Sequence, residues 1–182
     1  MTAQQQRQRY VNTREDSAVW FLGIPTLMRS RGESINGAFG LIEHWMIPPG
    51  FASPYHTHHL EDEAFYILEG EVAFVCDGKW LKAGPGTYVF GPREIPHGFK
   101  IEGTVPARML LLCAPAGFVR FVQEMSEPAT DLTLPPAPPD MTKLMTLAAK
   151  YKIDILGPLP EQTGVAPCRG VLLPAAANQE RE

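Results

Sequence analysis

Proline and glycine interrupt this chain at short intervals, and that punctuation limits the possible fold more than any other feature. The 182 residues include 18 prolines and 16 glycines, more than a helical protein tolerates because both residues disfavour helix interiors. They separate short runs rich in valine, isoleucine, phenylalanine, tyrosine and tryptophan, which are enriched in strands. Turn signals recur about every 8–12 residues, as in antiparallel sandwiches and barrels. The sequence therefore predicts an all-β fold.

Most of the predicted strands lie in the first two thirds of the chain. We expect strands at 39–47, 55–59, 64–68, 71–76, 79–82, 87–90, 97–101 and 105–113, preceded by short ones at 17–22 and 26–29 that Pro25 separates. Asp77-Gly78 is a strong hairpin signal. In the run at 39–47 both faces are mostly apolar, so the two-residue period does not indicate which face meets the core.

Helical patterns follow the strands. The segment 117–125 places Phe118, Phe121 and Val122 on one stripe. Asp140 is a candidate cap for a second helix over 141–152. The predicted buried face of this second helix consists of Leu144, Leu147, Ala148 and Tyr151.

The length suits one domain with a short appendage. We predict an N-terminal arm with edge strands at 1–37, a barrel core at 38–115, a short helix at 116–127, a proline-rich linker at 128–139, a C-terminal helix at 140–160 and a flexible tail at 161–182.

Charge and hydropathy exclude several classes of partner. The formal net charge is −4 and no run of lysine or arginine is present, so nucleic-acid binding is not expected. No stretch of about 20 apolar residues could cross a membrane. The polar N-terminus lacks the apolar segment of a secretion signal, which predicts a cytoplasmic protein. The three cysteines, Cys76, Cys113 and Cys168, are too far apart for a zinc or disulfide pattern.

The most informative stretch holds three of the five histidines of the chain, all within residues 56–59. On a strand, positions two apart project to the same side, so His56 and His58 point together. Imidazole is neutral over much of the physiological range and is then free to bind a metal. Glu63 lies past a bend and can add a carboxylate oxygen, whereas His97 would have to come from another strand. This combination points to a metal site.

The spacing of these residues resembles the first motif of the cupin superfamily. Gly50, His56, His58, Glu63 and Gly70 occupy every fixed position of that motif. The resemblance covers about residues 38–115. It implies a cupin fold, which is a double-stranded β-helix or jelly-roll barrel, here with short C-terminal helices.

The second cupin motif is matched in part, by Gly86, Pro92 and His97. Glu94 stands where that motif usually has glycine, and Ile101 where it often has asparagine. The runs at 61–70 and 114–118 resemble small bacterial single-domain cupins of the quercetin 2,3-dioxygenase-like kind. Members with these motif positions use three histidines and one glutamate as ligands. By this resemblance, the metal ligands are His56, His58, Glu63 and His97.

The resemblance implies a metal-dependent dioxygenase that acts on a small aromatic or enol, flavonol-like substrate together with O2. The cofactor would be one divalent ion of Fe, Mn, Ni, Co or Cu; zinc fits less well because it settles with fewer ligands. Glu63 would be the catalytic residue, either as a ligand or as a base. If the strands keep their alternation, the substrate pocket is lined by Phe65, Ile67, Phe99 and Ile101.

Two other functions stay open from the sequence. One is a non-redox cyclase, isomerase or dehydratase, in which Glu63, His59 or a pocket tyrosine moves protons. The other is a non-catalytic cupin that binds a small ligand. We also expect a homodimer, because unpaired sheet edges tend to be covered.

Several residues near the motifs have no settled place. His59 points opposite His58 and is expected outside the ligand set. Glu61 could orient a ligand histidine or could lie on the surface. Glu94 could touch substrate near the barrel mouth or could be a solvated surface residue, and His44 has no indicated role.

Overall fold

The computed structural model of this protein describes residues 18–129, 138–162 and 165–167. The first 17 residues of the arm predicted at 1–37, the central part of the proline-rich linker, and the end of the predicted tail, which includes Cys168, lie outside the described residues. None of the helices in the described ranges is both long enough and apolar enough to cross a bilayer.

The predicted all-β fold with short helices near its end is confirmed. The strands are β1 Ala18–Phe21, β2 Ile24–Ser30, β3 Gly40–Ile47, β4 Tyr55–His58, β5 Asp62–Glu69, β6 Glu71–Cys76, β7 Lys79–Ala83, β8 Tyr88–Gly91, β9 His97–Glu102, β10 Ala107–Ala114, β11 Glu127–Pro128, β12 Ile153–Gly157 and β13 Val165–Pro167. The α-helices are α1 Gly117–Met125 and α2 Met141–Lys150, and a short 3-10 helix spans Glu33–Ile35.

The strands form two sheets whose inner faces share one core. The first sheet has the order β11-β1-β2-β3-β10-β5-β8, and the second has the order β12-β4-β9-β6-β7-β13. Neighbouring strands are antiparallel except β13, which runs parallel to β7. Phe65 of the first sheet packs between the sheets against Phe74 and Phe99 of the second, with ring centroids 5.0 and 6.1 Å away. Apolar burial between the two faces holds the sheets together.

An irregularity in β3 changes which face of the strand is buried along its length. Ile42 and His44 are buried. The pairing with β10 then shifts register before Ile47, and Met46 has a positive φ of 51°. Such a bulge reverses the alternation, so Met46 is half exposed while Ile47 is fully buried.

Pro25 does not separate two strands as predicted. It lies inside β2 and pairs with Trp20 of β1. The hairpin turn is Leu22-Gly23, where φ is 49° and 86°, the backbone that two-residue hairpin turns require. Near the start of a strand, proline costs few ladder hydrogen bonds.

The C-terminal helix predicted at 140–160 is shorter than expected. Helix α2 ends at Lys150, Lys152 has a left-handed φ of 58°, and the following residues form β12. Strand β12 pairs with β4, so hydrogen bonding to a sheet overrides the helical pattern there. As predicted, Leu144 and Ala148 are buried.

Substituting Asp140 by alanine is expected to lower the free energy of unfolding by about 1 kcal/mol. The Asp140 carboxylate accepts hydrogen bonds from the backbone N–H groups of Thr142 and Lys143, and alanine leaves both unpaired. Urea denaturation measures the difference. Met145→Ala, on the exposed side of the same helix, is the control and should change stability by only a few tenths of a kcal/mol. Equal losses in the two variants would contradict the capping role.

Candidate metal centre

The four residues predicted as ligands meet in space. Strand β4 carries His56 and His58, β5 carries Glu63, and β9 carries His97. His56 and His97 are direct partners across β4 and β9. One ligand atom from each of the four residues lies within 4.8 Å of the others, and all but His56 are buried. Folding therefore brings His97 to the sequence-local group.

Hydrogen bonds to backbone carbonyls orient two of the rings. Nδ1 of His56 donates to the carbonyl of Pro54 at 2.8 Å, and Nδ1 of His97 donates to the carbonyl of Ile95 at 2.8 Å. A neutral imidazole with its hydrogen on Nδ1 has a lone pair on Nε2. This support from outside the cluster turns Nε2 of each ring toward the cluster, where a metal ion would take the place of the hydrogen by which Nε2 of His97 contacts Glu63.

Two atoms at the centre of the cluster lack any hydrogen bond. Nε2 of His58 and Oε1 of Glu63 are buried without a partner among the described residues and lie 3.6 Å apart. The other oxygen of Glu63 accepts a hydrogen bond of 3.0 Å from Nε2 of His97. Buried polar atoms without partners are costly. A cation between these atoms would satisfy both, so the residues present fit a metal ion.

The charge states also suit a cation. Burial alone would raise the pKa of Glu63, but attraction to His58 and the hydrogen bond from His97 bring it down to about 2. Burial, with the nearby His58 and His97, lowers the pKa of His56 to about 3. At neutral pH the cluster thus presents the carboxylate of Glu63 beside the neutral imidazole of His56, as metal binding needs. Burial alone would lower the pKa of His97, but its hydrogen bond to Glu63 raises it, so a metal ion would have to displace a proton there.

Comparison with known proteins agrees with this arrangement. Residues 43–113 match the family model described as a cupin domain. This chain contains a cupin domain. The predicted resemblance at 38–115 is thereby confirmed, and β3 through β10 are the cupin strands.

Three relatives illustrate the relationship. Quercetin 2,3-dioxygenase of Bacillus subtilis is 26% identical over 44% of this chain and 24% of its own length. The polyketide cyclase RemF of Streptomyces resistomycificus is 25% identical, with a TM-score of 0.50 over 59% of this chain and 80% of RemF. A Thermotoga maritima structure described as a predicted oxalate decarboxylase has a TM-score of 0.52 at 20% identity, over 58% of this chain and 99% of its own. The cupin spans 24–56% of the length of the curated relatives that it matches.

Glu61 lies inside the cupin, beside His58. Its side chain is 2% exposed, and its Oε2 is 3.8 Å from Nδ1 of His58 without a hydrogen bond. A Cβ on Gly117 would lie 2.1 Å from the other oxygen of Glu61. The carboxylate therefore occupies the space that Gly117 leaves free at the start of α1. Of the two alternatives left open by the sequence, a surface position is wrong.

His59 and Glu94 form a separate contact on the outside of the domain. The two nitrogens of His59 lie 2.7 Å from Glu94 and 3.0 Å from Asp154 of β12. Hydrogen bonds to Asp154 and Glu94 raise the pKa of His59. Glu94 keeps a left-handed φ of 65°, so the loop retains the conformation that glycine favours at this motif position. Both residues lie outside the ligand cluster, as expected.

An apolar cavity adjoins the cluster, with His56 and Glu63 on its wall. Its aromatic lining consists of Phe21, Phe51, Phe65, Phe99, Phe118 and Phe121. Of the predicted pocket residues, Phe65 and Phe99 line this cavity, whereas Ile67 and Ile101 are buried in the core outside its lining. Neither His59 nor any tyrosine of the described chain is in the lining.

His44 also lines this cavity, although the sequence indicated no role for it. The residue is 3% exposed, its Nδ1 lies 3.0 Å from Oγ1 of Thr26, and its ring stacks on Phe21 at 6.1 Å. Burial lowers its pKa to about 4. The two-residue period did place His44 beside Ile42 on one face of β3, but that period could not say which face was inside.

In the metal-free protein, burial of His44 is expected to lower the free energy of unfolding by about 3 kcal/mol as the pH falls from 6.5 to 4. The unfolded imidazole takes up a proton near pH 6.5, while the folded one stays neutral until about pH 4. The contribution of neutral His44 to the free energy of unfolding is therefore fully present above the pKa of His44 in the unfolded chain. It is lost as the pH falls toward the pKa of His44 in the folded protein. Urea denaturation of wild type and His44→Gln across this range measures the effect, since glutamine cannot titrate. Parallel stability curves for the two proteins would refute it.

Proposed function

We propose that this cupin holds one divalent metal ion through His56, His58, Glu63 and His97 and is an enzyme acting on a small aromatic or enol molecule. The observation that carries the proposal is the pair of buried atoms without partners, Nε2 of His58 and Oε1 of Glu63. Both belong to the cluster that adjoins an aromatic cavity. A metal site next to a concave apolar pocket is a common form of active site.

The reaction that we propose first is dioxygenation. A bound redox-active divalent ion would acidify an enol or phenol hydroxyl and activate O2. The chain itself supplies the carboxylate of Glu63, which stays ionised at neutral pH and can accept the substrate proton. The aromatic walls exclude water and hold a flat substrate. The 26% identity with the quercetin 2,3-dioxygenase of B. subtilis supports this choice.

The size of the cavity favours a compact substrate. The cavity volume is about 60 Å³, room for roughly five waters at about 10–15 Å³ each. That volume suits a single ring with few substituents better than a whole fused-ring flavonol. Three imidazoles and one carboxylate suit Fe, Mn, Ni, Co or Cu, and zinc fits less well because it settles with fewer ligands.

A non-redox reaction is the second candidate, because RemF, which resembles this chain at a TM-score of 0.50, is a polyketide cyclase. In that case the metal would act as a Lewis acid and Glu63 would move the proton. Neither His59 nor a tyrosine lines the cavity in the described chain. Cyclisation, isomerisation or dehydration would each proceed without O2.

Oxygen uptake distinguishes these functions. The purified holoprotein, with its metal content measured, is mixed with compact enols, catechols and flavonols in an oxygen electrode. We expect uptake that tracks substrate loss and that disappears in Glu63→Gln. Substrate turnover without O2 uptake would refute the dioxygenase and favour the second candidate. A metal-loaded protein that binds these compounds without turnover would instead indicate a non-catalytic binding cupin.

We also propose the homodimer expected from the sequence. Edge strand β8 and its neighbour β5 expose Tyr66, Tyr88 and Phe90 on the outer face of the first sheet, each at least 44% exposed. Tyr66 and Tyr88 are cross-strand partners. Light scattering coupled to size-exclusion chromatography should give twice the mass of one chain for wild type and that of one chain for Tyr88→Lys.

A further inference from the structure

We infer that His44 determines substrate specificity by accepting a hydrogen bond, through Nε2, from a donor group on the substrate. The inference rests on the proposed function in one respect, that the cavity beside the metal cluster is the substrate site. It adds a second recognition point, outside the four ligand residues, and with it a substrate class.

The hydrogen bonds of Thr26 define the tautomer of His44. Thr26 is fully buried, and its hydroxyl donates to the carbonyl of Ile24 at 3.3 Å. A hydroxyl has a single hydrogen; with that hydrogen on the Ile24 carbonyl, Oγ1 of Thr26 accepts from Nδ1 of His44 in their 3.0 Å contact, and we assign the tautomer on this basis. His44 therefore carries its hydrogen on Nδ1, which leaves a lone pair on Nε2.

The same contacts hold the ring in place and leave Nε2 unused. The His44 ring lies against Phe21 at an interplanar angle of 14°. The hydrogen bond between Nδ1 and Thr26 opposes rotation of the ring about the Cβ–Cγ bond. No hydrogen bond to Nε2 is present among the described residues, although the side chain lines the cavity. An acceptor without a partner in an apolar cavity gains most from a ligand that supplies the donor.

Few other polar groups in the cavity are available. His56 and Glu63 belong to the metal cluster. The hydroxyl of Ser53 already donates to the carbonyl of Pro54 and accepts from the N–H of Phe99. His44 is thus an uncommitted acceptor in a lining that is otherwise mainly aromatic and aliphatic.

These features specify a substrate class. It is a compact aromatic or enol molecule with one oxygen for the metal and a separate hydroxyl or amine that donates to His44. A site built around such a hydrogen bond discriminates strongly against analogues that lack the donor.

The test compares two variants and two pairs of ligands. The His44→Asn amide can still donate to Thr26 but does not reach the position of Nε2, whereas His44→Gln can place an acceptor oxygen there. Resorcinol is compared with 3-fluorophenol, and hydroquinone with 4-fluorophenol, because fluorine resembles a hydroxyl in size and cannot donate. Calorimetry on metal-loaded wild type and variants gives each Kd, and elemental mass spectrometry gives the metal content.

We expect wild type to bind at least one dihydroxybenzene about tenfold or more tightly than its fluorophenol. His44→Asn should abolish this preference by weakening the binding of the dihydroxybenzene far more than that of the fluorophenol, and His44→Gln should recover part of the preference. If His44 had only a structural role, His44→Asn would weaken the binding of both ligands equally. Equal affinities in wild type, a preference that survives in His44→Asn, or failure of the metal-loaded protein to bind any of the phenols would overturn the inference.

The outcome is separable from that of the proposed function. A hydroxyl preference that depends on His44, in a protein that shows no turnover, would refute the enzyme and leave the role of His44 intact. Oxygen uptake that does not depend on the donor group of the substrate would support the enzyme and refute the role of His44.

Discussion

Replacing His58 by alanine is expected to abolish metal binding, lowering the metal content from nearly one ion per chain to nearly none. His58 is fully buried, and among the residues that the structure describes its Nε2 has no partner other than the 3.6 Å approach to Glu63. Alanine removes this ligand and leaves a cavity in its place. Because loss of even a supporting contact reduces metal affinity by about 10–100-fold, loss of a ligand should reduce it by at least about 100-fold.

The measurement is elemental mass spectrometry on protein purified without added metal and again after incubation with each candidate ion. His59→Ala is the matched control, since His59 is the adjacent histidine and contacts Glu94 and Asp154 instead of the cluster. It should retain the metal. Added metal should also raise the Tm of wild type and of His59→Ala, but not that of His58→Ala, because only a bound ligand stabilises the folded state. Equal metal contents in the two variants, or none in wild type with any ion, would refute the four-residue site.

Gly70→Ala is expected to lower the free energy of unfolding by about 2–4 kcal/mol, the sum of backbone strain and a steric clash. Gly70 turns the chain from β5 into β6 with a φ of 80°, where a side chain is strained. A Cβ there would also lie 2.7 Å from Cα of Ala107 and 3.0 Å from the carbonyl oxygen of Pro106. Since both are backbone atoms of the adjoining strand connection, they cannot move aside cheaply.

Gly78→Ala separates the two contributions. Gly78 has a similar φ of 70°, but a Cβ there would meet no atom within 4 Å. This variant should lose only about 1 kcal/mol, the cost of the left-handed backbone alone. Urea denaturation of both variants measures the difference. If they lose the same amount, the close approach of Ala107 does not constrain Gly70.

Local patterns predicted part of this structure well. The 117–125 segment forms α1, and its predicted stripe of Phe118, Phe121 and Val122 is buried. On β5, the alternation that places Glu63 and Phe65 on one side holds, and both are buried. These predictions depended on the period of a single element, which the sequence displays directly.

Where the local sequence pattern is weak or misleading, pairing with a neighbouring strand determines the secondary structure. The sequence predicts that Pro25 separates two strands, yet pairing with β1 keeps Pro25 inside β2. The residues after Lys150 were read as helix, yet pairing with β4 makes them a strand. In both cases hydrogen bonds to a distant segment outweighed the local preference, which only tertiary structure can reveal.

The same division applies to the site. By itself the sequence determined an all-β cupin chain and, through motif spacing, four candidate ligands, because turn residues and strand alternation are local properties. Only the tertiary structure decided that His97 reaches the other three, that Glu61 is buried beside His58, and that His44 faces the cavity. These facts depend on which strands become neighbours and on one bulge in β3, and contacts between distant segments leave no periodic trace in the chain.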